Sequence, residues 1–117
     1  MTRLALLLAL LLTTPASAGL RIVDGDTIRW RGERIRILGY DSPEIRGKCQ
    51  AEKDAARDAT RALERLLGSG PVAVVREDID RWGRTLARVY VAGTDVAALM
   101  IESGHGRLWR GRREGWC

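Results

Sequence analysis

The 117-residue sequence has one histidine, His105, and two cysteines, Cys49 and Cys117. A lone histidine in the tail leaves no Ser-His-Asp arrangement for nucleophilic catalysis, and His105 reads as a surface residue rather than a catalyst. Two cysteines and one histidine at this spacing do not make a four-ligand zinc site. Lysine is scarce: Lys48 and Lys53 stand against a large excess of arginine. Long apolar runs are missing too. The unbroken stretch Leu4 to Leu12 is about half of the roughly 20 residues that a bilayer-crossing helix needs. There is no internal repeat, low-complexity segment or linker, so the length fits one compact domain, expected to be a monomer.

Arg3 precedes that apolar run, Thr13, Thr14 and Pro15 break it, and Ala16-Ser17-Ala18 follows with small residues at A-x-A spacing. Residues 1–18 are therefore expected to be a signal peptide cut after Ala18, giving a secreted or periplasmic protein with no membrane attachment. The competing reading is a membrane anchor. The remaining domain, 19–117, has a formal charge of +4, since all 15 acids and all but Arg3 of the 20 Lys and Arg fall within it. Arginine pairs bidentately with phosphate, so a basic, arginine-rich domain suits a polyanion such as nucleic acid. Composition bias from a GC-rich genome explains the arginines equally well. In an exported chain Cys49 and Cys117 are expected to form a disulfide across most of the domain; the alternative is two unpaired thiols.

Alternating segments open the domain. Leu20 to Val23, Thr27 to Arg31 and Arg34 to Leu38 read as strands, separated by turns at Asp24-Gly25 and Gly32-Glu33. From Gln50 to Leu67 the period becomes helical, with Ala51, Ala55, Ala59, Ala62, Leu63, Leu66 and Leu67 on one stripe. Gly68 and Gly70-Pro71 end this helix. Val72 to Arg76 and Thr85 to Val91 read as two more strands. After Ala92-Gly93, Thr94 or Asp95 caps a short helix through Ser103. The tail from His105 is given no regular structure. Five short antiparallel strands, a helix between the third and fourth, and a short C-terminal helix fit a mainly β (α+β) OB-fold barrel.

Four groups of residues are candidates for chemistry. Asp24-Gly25-Asp26-Thr27 is a favoured hairpin turn, yet a second acid, Asp26, is unexpected at a strand start. Asp41-Ser42-Pro43-Glu44 reads either as a helix start or, with Asp26 at the end of a neighbouring strand, as half of a calcium site built from hard oxygen donors. Arg36 alternates with Ile35 and Ile37, so it faces solvent or a cleft. Asp80-Arg81-Trp82-Gly83-Arg84 is a basic loop that suits a phosphate clamp, with Trp82 placed to stack on a base.

Val23-Asp24-Gly25-Asp26-Thr27, Arg36 through Glu44, and Asp80 through Ala87, in this order and spacing, resemble the thermonuclease (staphylococcal nuclease-like) family over roughly residues 20 to 109. The resemblance implies a phosphodiester hydrolase acting on DNA or RNA with Ca2+ and leaving 3′-phosphates. It implies calcium ligands in Asp26, Asp41 and the carbonyl of Ser42, with Asp24 in support. Glu44 falls at the general base. Arg36 and Arg84 fall at the transition-state arginines, and Arg81 and Trp82 at nucleotide contacts. The tail from Trp109 replaces the third helix of the best-known member, and Trp109 or Arg110 has to substitute for its stacking Tyr. The alternative function is a non-catalytic OB-fold module, which needs the arginines but not Asp26, Asp41 and Glu44 together.

Overall fold

The computed structural model describes residues 19–117; the expected signal peptide lies outside them. Strands β1 (Leu20–Ile22), β2 (Thr27–Trp30) and β3 (Glu33–Ile37) form an antiparallel meander. Period-two alternation builds it: Ile28, Ile35 and Ile37 are fully buried, while Arg29 and Arg34 face outward. The β2–β3 turn is Arg31-Gly32, with φ of 52° and 82°. The expected turn at Gly32-Glu33 is thus one residue late. A two-residue turn of this hand needs two left-handed residues, and Gly32 takes the second place.

The β1–β2 connection is not an Asp-Gly hairpin turn of that kind, because Gly25 has no positive φ. The N–H groups of Val23 and Asp24 both donate to the carbonyl of Thr27, at 2.9 and 3.2 Å. Close approach, not turn geometry, requires the glycine. A Cβ on Gly25 would lie 2.8 Å from Ser42 Oγ and 2.9 Å from Ala59 Cβ, overlap that a packed interior tolerates poorly.

A two-residue strand, β4 (Tyr40–Asp41), leads into a loop and then helix α1 (Gln50–Leu67). The helix bounds match the sequence period, but its buried face is Glu52, Ala56, Ala59, Leu63 and Leu67, with Ala51 exposed. Hydrogen bonds to the preceding loop draw Glu52 inward and rotate the face from the expected stripe. Next come β5 (Val72–Ile79), β6 (Thr85–Val91), β7 (Thr94–Asp95), α2 (Val96–Glu102) and β8 (Arg107–Leu108). Strand β5 runs past the expected end at Arg76 through an irregularity between Arg76 and Asp78. Asp95 caps α2, accepting from the N–H of Ala97.

The main sheet has the order β1-β2-β3-β6-β5. Contrary to the all-antiparallel expectation, β3 and β6 run parallel, because α1 and β5 carry the chain across between them. The tail also departs from expectation: β8 pairs antiparallel with β4, Leu108 opposite Tyr40 and Arg107 opposite Asp41. The result is an OB-like α+β fold. Its core packs Ile28, Ile35, Ile37, Val89 and Val91 of the sheet against Leu63, Leu67 and Met100 of the helices. Cys49 and Cys117 are joined by a disulfide, with Cα atoms 6.0 Å apart.

Candidate active site

Strand ends β1–β2 and β3–β4, the loop before β6 and the C-terminal tail converge on one cleft of about 530 Å³. Asp24, Asp26, Arg36, Asp41, Ser42, Glu44, Trp82 and Arg84 all line it, so nearly every expected site residue is brought together. Arg81 is not in the lining; it lies with its guanidinium 4.2 Å from the centre of the Trp82 ring. Of the two candidates to replace the stacking Tyr, Trp109 lines the cleft and Arg110 does not. A second groove of about 580 Å³ between α1 and α2 is lined by Ala62, Leu66, Leu99, Met100 and His105 among others. It gathers neither paired carboxylates nor a convergence of strand ends, so the first cleft is the candidate site.

Carboxylates and guanidiniums alternate through the cleft. Arg36 Nη2 lies 3.3 Å from Asp26 Oδ2 and 4.0 Å from Asp41 Oδ1. Arg113 Nη1 lies 3.9 Å from that same Asp41 oxygen and 2.7 Å from Glu44 Oε1. Asp26 and Asp41 are therefore bridged by one arginine, and Asp41 and Glu44 by another. Arg36 is fixed further by donating to the carbonyls of Ile37 and Tyr40. Because its side chain is only 15% exposed, it points into the cleft rather than bulk solvent.

Neighbouring groups hold this arrangement. The Asp26 N–H donates to Asp24 Oδ1 at 3.1 Å, a local turn that aims both acids. Burial, then repulsion from Asp26, pushes the Asp24 carboxyl up to about 6. The buried Tyr40 hydroxyl donates to the Gly25 carbonyl at 2.6 Å, tying β4 to the acid-bearing turn. Burial raises this phenol well above its usual range. Asp80 accepts from the N–H groups of Trp82 and Arg84 at 3.0 and 2.9 Å and from Arg84 Nε at 2.7 Å. Burial works against its ionisation, but the hydrogen bonds from Arg84 and Trp82 prevail and hold it below the usual carboxylate range. Glu52 accepts from the N–H groups of Glu44 and Lys48 at 3.1 and 3.2 Å. These bonds, led by the one from Glu44, keep Glu52 ionised below its ordinary range and fix the loop that carries Glu44.

Arg113 and Glu52 are the contributors that sequence reading missed, while Asp80 and Tyr40 fall inside the motifs it singled out but carry no role there. Glu52 had a signal: it stands three residues after the helix cap Cys49, where a glutamate reaches back to backbone N–H groups. Arg113 had none, since its placement depends on the β4–β8 pairing and the Cys49–Cys117 bond.

No cluster of three or more Asp, Glu, His or Cys side chains suited to a metal occurs among the described residues. The two carboxylates that share Arg36 Nη2 are the available pair. Both are largely buried, with Asp26 and Asp41 side chains 12% and 7% exposed, and the buried Ser42 follows Asp41 directly. This all-oxygen set matches a hard cation whose remaining ligands are backbone carbonyls and water.

A family model described as staphylococcal nuclease homologue matches residues 34–114. The chain belongs to the staphylococcal nuclease homologue family. Among the proteins similar to this chain, the succinoglycan biosynthesis protein ExoI of Rhizobium meliloti (strain 1021) is 34% identical over 113 residues, covering 86% of this chain and 59% of the relative. Endonuclease YncB of Bacillus subtilis (strain 168) is 32% identical over 95 residues, covering 75% and 45%. The SPbeta prophage-derived endonuclease YokF of the same organism is 33% identical over 95 residues, covering 75% and 32%. The chain thus spans about half the length, or less, of the curated relatives it matches.

Proposed function

We propose that this protein is an exported, calcium-dependent nuclease that hydrolyses phosphodiester bonds of DNA or RNA on the 5′-oxygen side. The observation that carries the reading is the convergence of Asp26, Arg36, Asp41, Glu44 and Arg84 on one cleft. Family membership and endonuclease-named relatives support it. A pure binding module would need the arginines but would gain nothing from three acids bracketing them.

Asp26, Asp41 and the Ser42 carbonyl are the groups that would hold calcium. When bound, the ion supplies Lewis-acid stabilisation of phosphate oxygens and makes nearby water more acidic. Glu44 accepts the proton of the attacking water as its oxygen bonds to phosphorus. The bond from phosphorus to the 5′-oxygen breaks, that oxygen leaves and takes a proton from solvent, and a 3′-phosphate remains. Arg36 and Arg84 neutralise the charge that grows on the phosphoryl oxygens. Arg84 meets Asp80 through Nε, so its Nη donors remain for phosphate. Trp82, exposed at the cleft mouth, and Trp109 offer faces for bases, and Arg81 backs Trp82. A disulfide-linked domain following an A-x-A cleavage signal supports export to the periplasm or medium.

Mass analysis of the products from a defined single-stranded 20-mer tests the chemistry. New ends that are 3′-phosphate and 5′-hydroxyl are expected. New 5′-phosphates would overturn the assignment of the broken bond.

A further inference from the structure

Three arginines outside the cleft stand in one row across the meander. Arg21 of β1 lies directly opposite Arg29 of β2, and Arg29 lies directly opposite Arg34 of β3. All three are exposed, on the face opposite the buried Ile28 and Ile35. Among the described residues no carboxylate pairs with any of them, whereas Arg57, Arg61, Arg76 and Arg88 each have an acidic partner. Like charges directly opposite one another on adjacent strands oppose folding. The row therefore works against the stability of the free domain, and a polyanion laid across it would relieve that repulsion.

The row also leads somewhere. Arg34 alternates with Arg36 on the same face of β3, and Arg36 is in the cleft. A groove of about 450 Å³ lined by Arg34, Trp82 and Arg84 adjoins it, and the latter two also line the cleft. A continuous basic path thus runs from the cleft past the exposed Trp82 to Arg34, Arg29 and Arg21. At the roughly 4.8 Å spacing of neighbouring strands the row covers about 10 Å, on the order of three phosphates at the ~3.4 Å rise of a stacked strand.

We infer that Arg21, Arg29 and Arg34 form a backbone track that holds the phosphates of a single-stranded polynucleotide flanking the cleavage site. The inference rests on the nuclease reading and extends it to substrate class: strands long enough to reach the row are preferred over dinucleotides. Single strands are favoured because stacking on Trp82 needs an unpaired base, and guanidiniums on phosphate ignore sequence.

The test compares wild type with the triple variant Arg21→Gln/Arg29→Gln/Arg34→Gln and with a charge-matched control, Arg57→Gln/Arg61→Gln/Arg65→Gln, on the exposed side of α1. Binding of a labelled 20-nucleotide oligothymidine is measured with chelator present, across a salt series. The slope of log affinity against log salt should fall by about 2 in the triple variant, about 0.7 for each phosphate no longer neutralised, and stay unchanged in the control. With calcium, KM for the 20-mer should rise at least about tenfold at unchanged kcat, while dinucleotide cleavage is unaffected. A wild-type salt slope in the triple variant, an equal loss in the control, or an equal loss on the dinucleotide would each overturn the track. Thermal unfolding of the triple variant, expected at or above the wild-type midpoint, guards against misfolding. Absence of all cleavage by wild type would sink the nuclease reading, while the binding arm still decides the track.

Discussion

Glu44 is the residue on which the proposed chemistry turns, and its setting is built from three sides. Its N–H is held by Glu52, its carboxylate by Arg113, and the three residues that precede it, Asp41, Ser42 and Pro43, are buried. Substituting Glu44→Gln keeps the shape and removes the proton acceptor, so kcat should fall at least about a hundredfold. Binding of an oligonucleotide in chelator should change little, which an anisotropy titration checks. A kcat within a few-fold of wild type would take Glu44 out of the role. At this scale most of the site was legible in the sequence, because Asp26, Asp41, Glu44, Arg36 and Arg84 sit in short motifs whose spacing is local. Arg113 and Glu52 were not legible as site residues. Each acts on a partner that only the folded chain brings near.

Strands and helices were read at nearly the right places, and the errors have physical causes. The helix period of α1 gave its ends correctly, yet the buried face rotated because Glu52 is drawn in by backbone N–H groups. The turn between β2 and β3 fell one residue early because handedness, not composition, sets it. The parallel β3–β6 pairing could not be read from local alternation at all, since alternation is blind to strand direction. One pairing between distant elements carries a testable charge. Glu33 of β3 accepts from Arg76 of β5 and from the Thr85 hydroxyl of β6. The hydrogen bond from Arg76, then that from Thr85, lowers its carboxyl to about 2. A lowered folded value means the contribution is fully present above the unfolded value of 4.5 and is lost as pH falls toward 2. The pair is partly exposed, with side chains 55% and 31% accessible, so screening limits it to about 1 kcal/mol. Denaturant unfolding of Glu33→Gln should show a smaller stability loss between pH 5 and 3 than wild type. An identical acid limb in both would remove this ion pair from the account.

For the whole molecule, the tail is the part that sequence patterning described least. It is held at one end by β8 on β4 and at the other by Cys117 on Cys49. Arg107 packs over the Trp116 ring at 3.6 Å. This strap sets Trp109 and Arg113 along the cleft wall, so the disulfide serves the site as well as stability. Closing a loop of 68 residues is worth about 4 kcal/mol by chain entropy, and measured values run lower. The double variant Cys49→Ser/Cys117→Ser should therefore lose about 2–4 kcal/mol in denaturant unfolding. Alkylation of the folded protein, purified without reductant, should leave its intact mass unlabelled. Two labelled thiols, or undiminished stability in the variant, would contradict the strap.

Two carboxylates, a base and two arginines in one cleft are proposed to hydrolyse nucleic acid with a calcium ion. Incubating the purified, oxidised 19–117 domain with single-stranded DNA, first with millimolar calcium and then with excess chelator, tests it most directly. Cleavage that appears with calcium, stops with chelator and returns when calcium is restored is the predicted result. A folded, disulfide-bonded protein that binds the DNA yet leaves it intact under every calcium condition would contradict it.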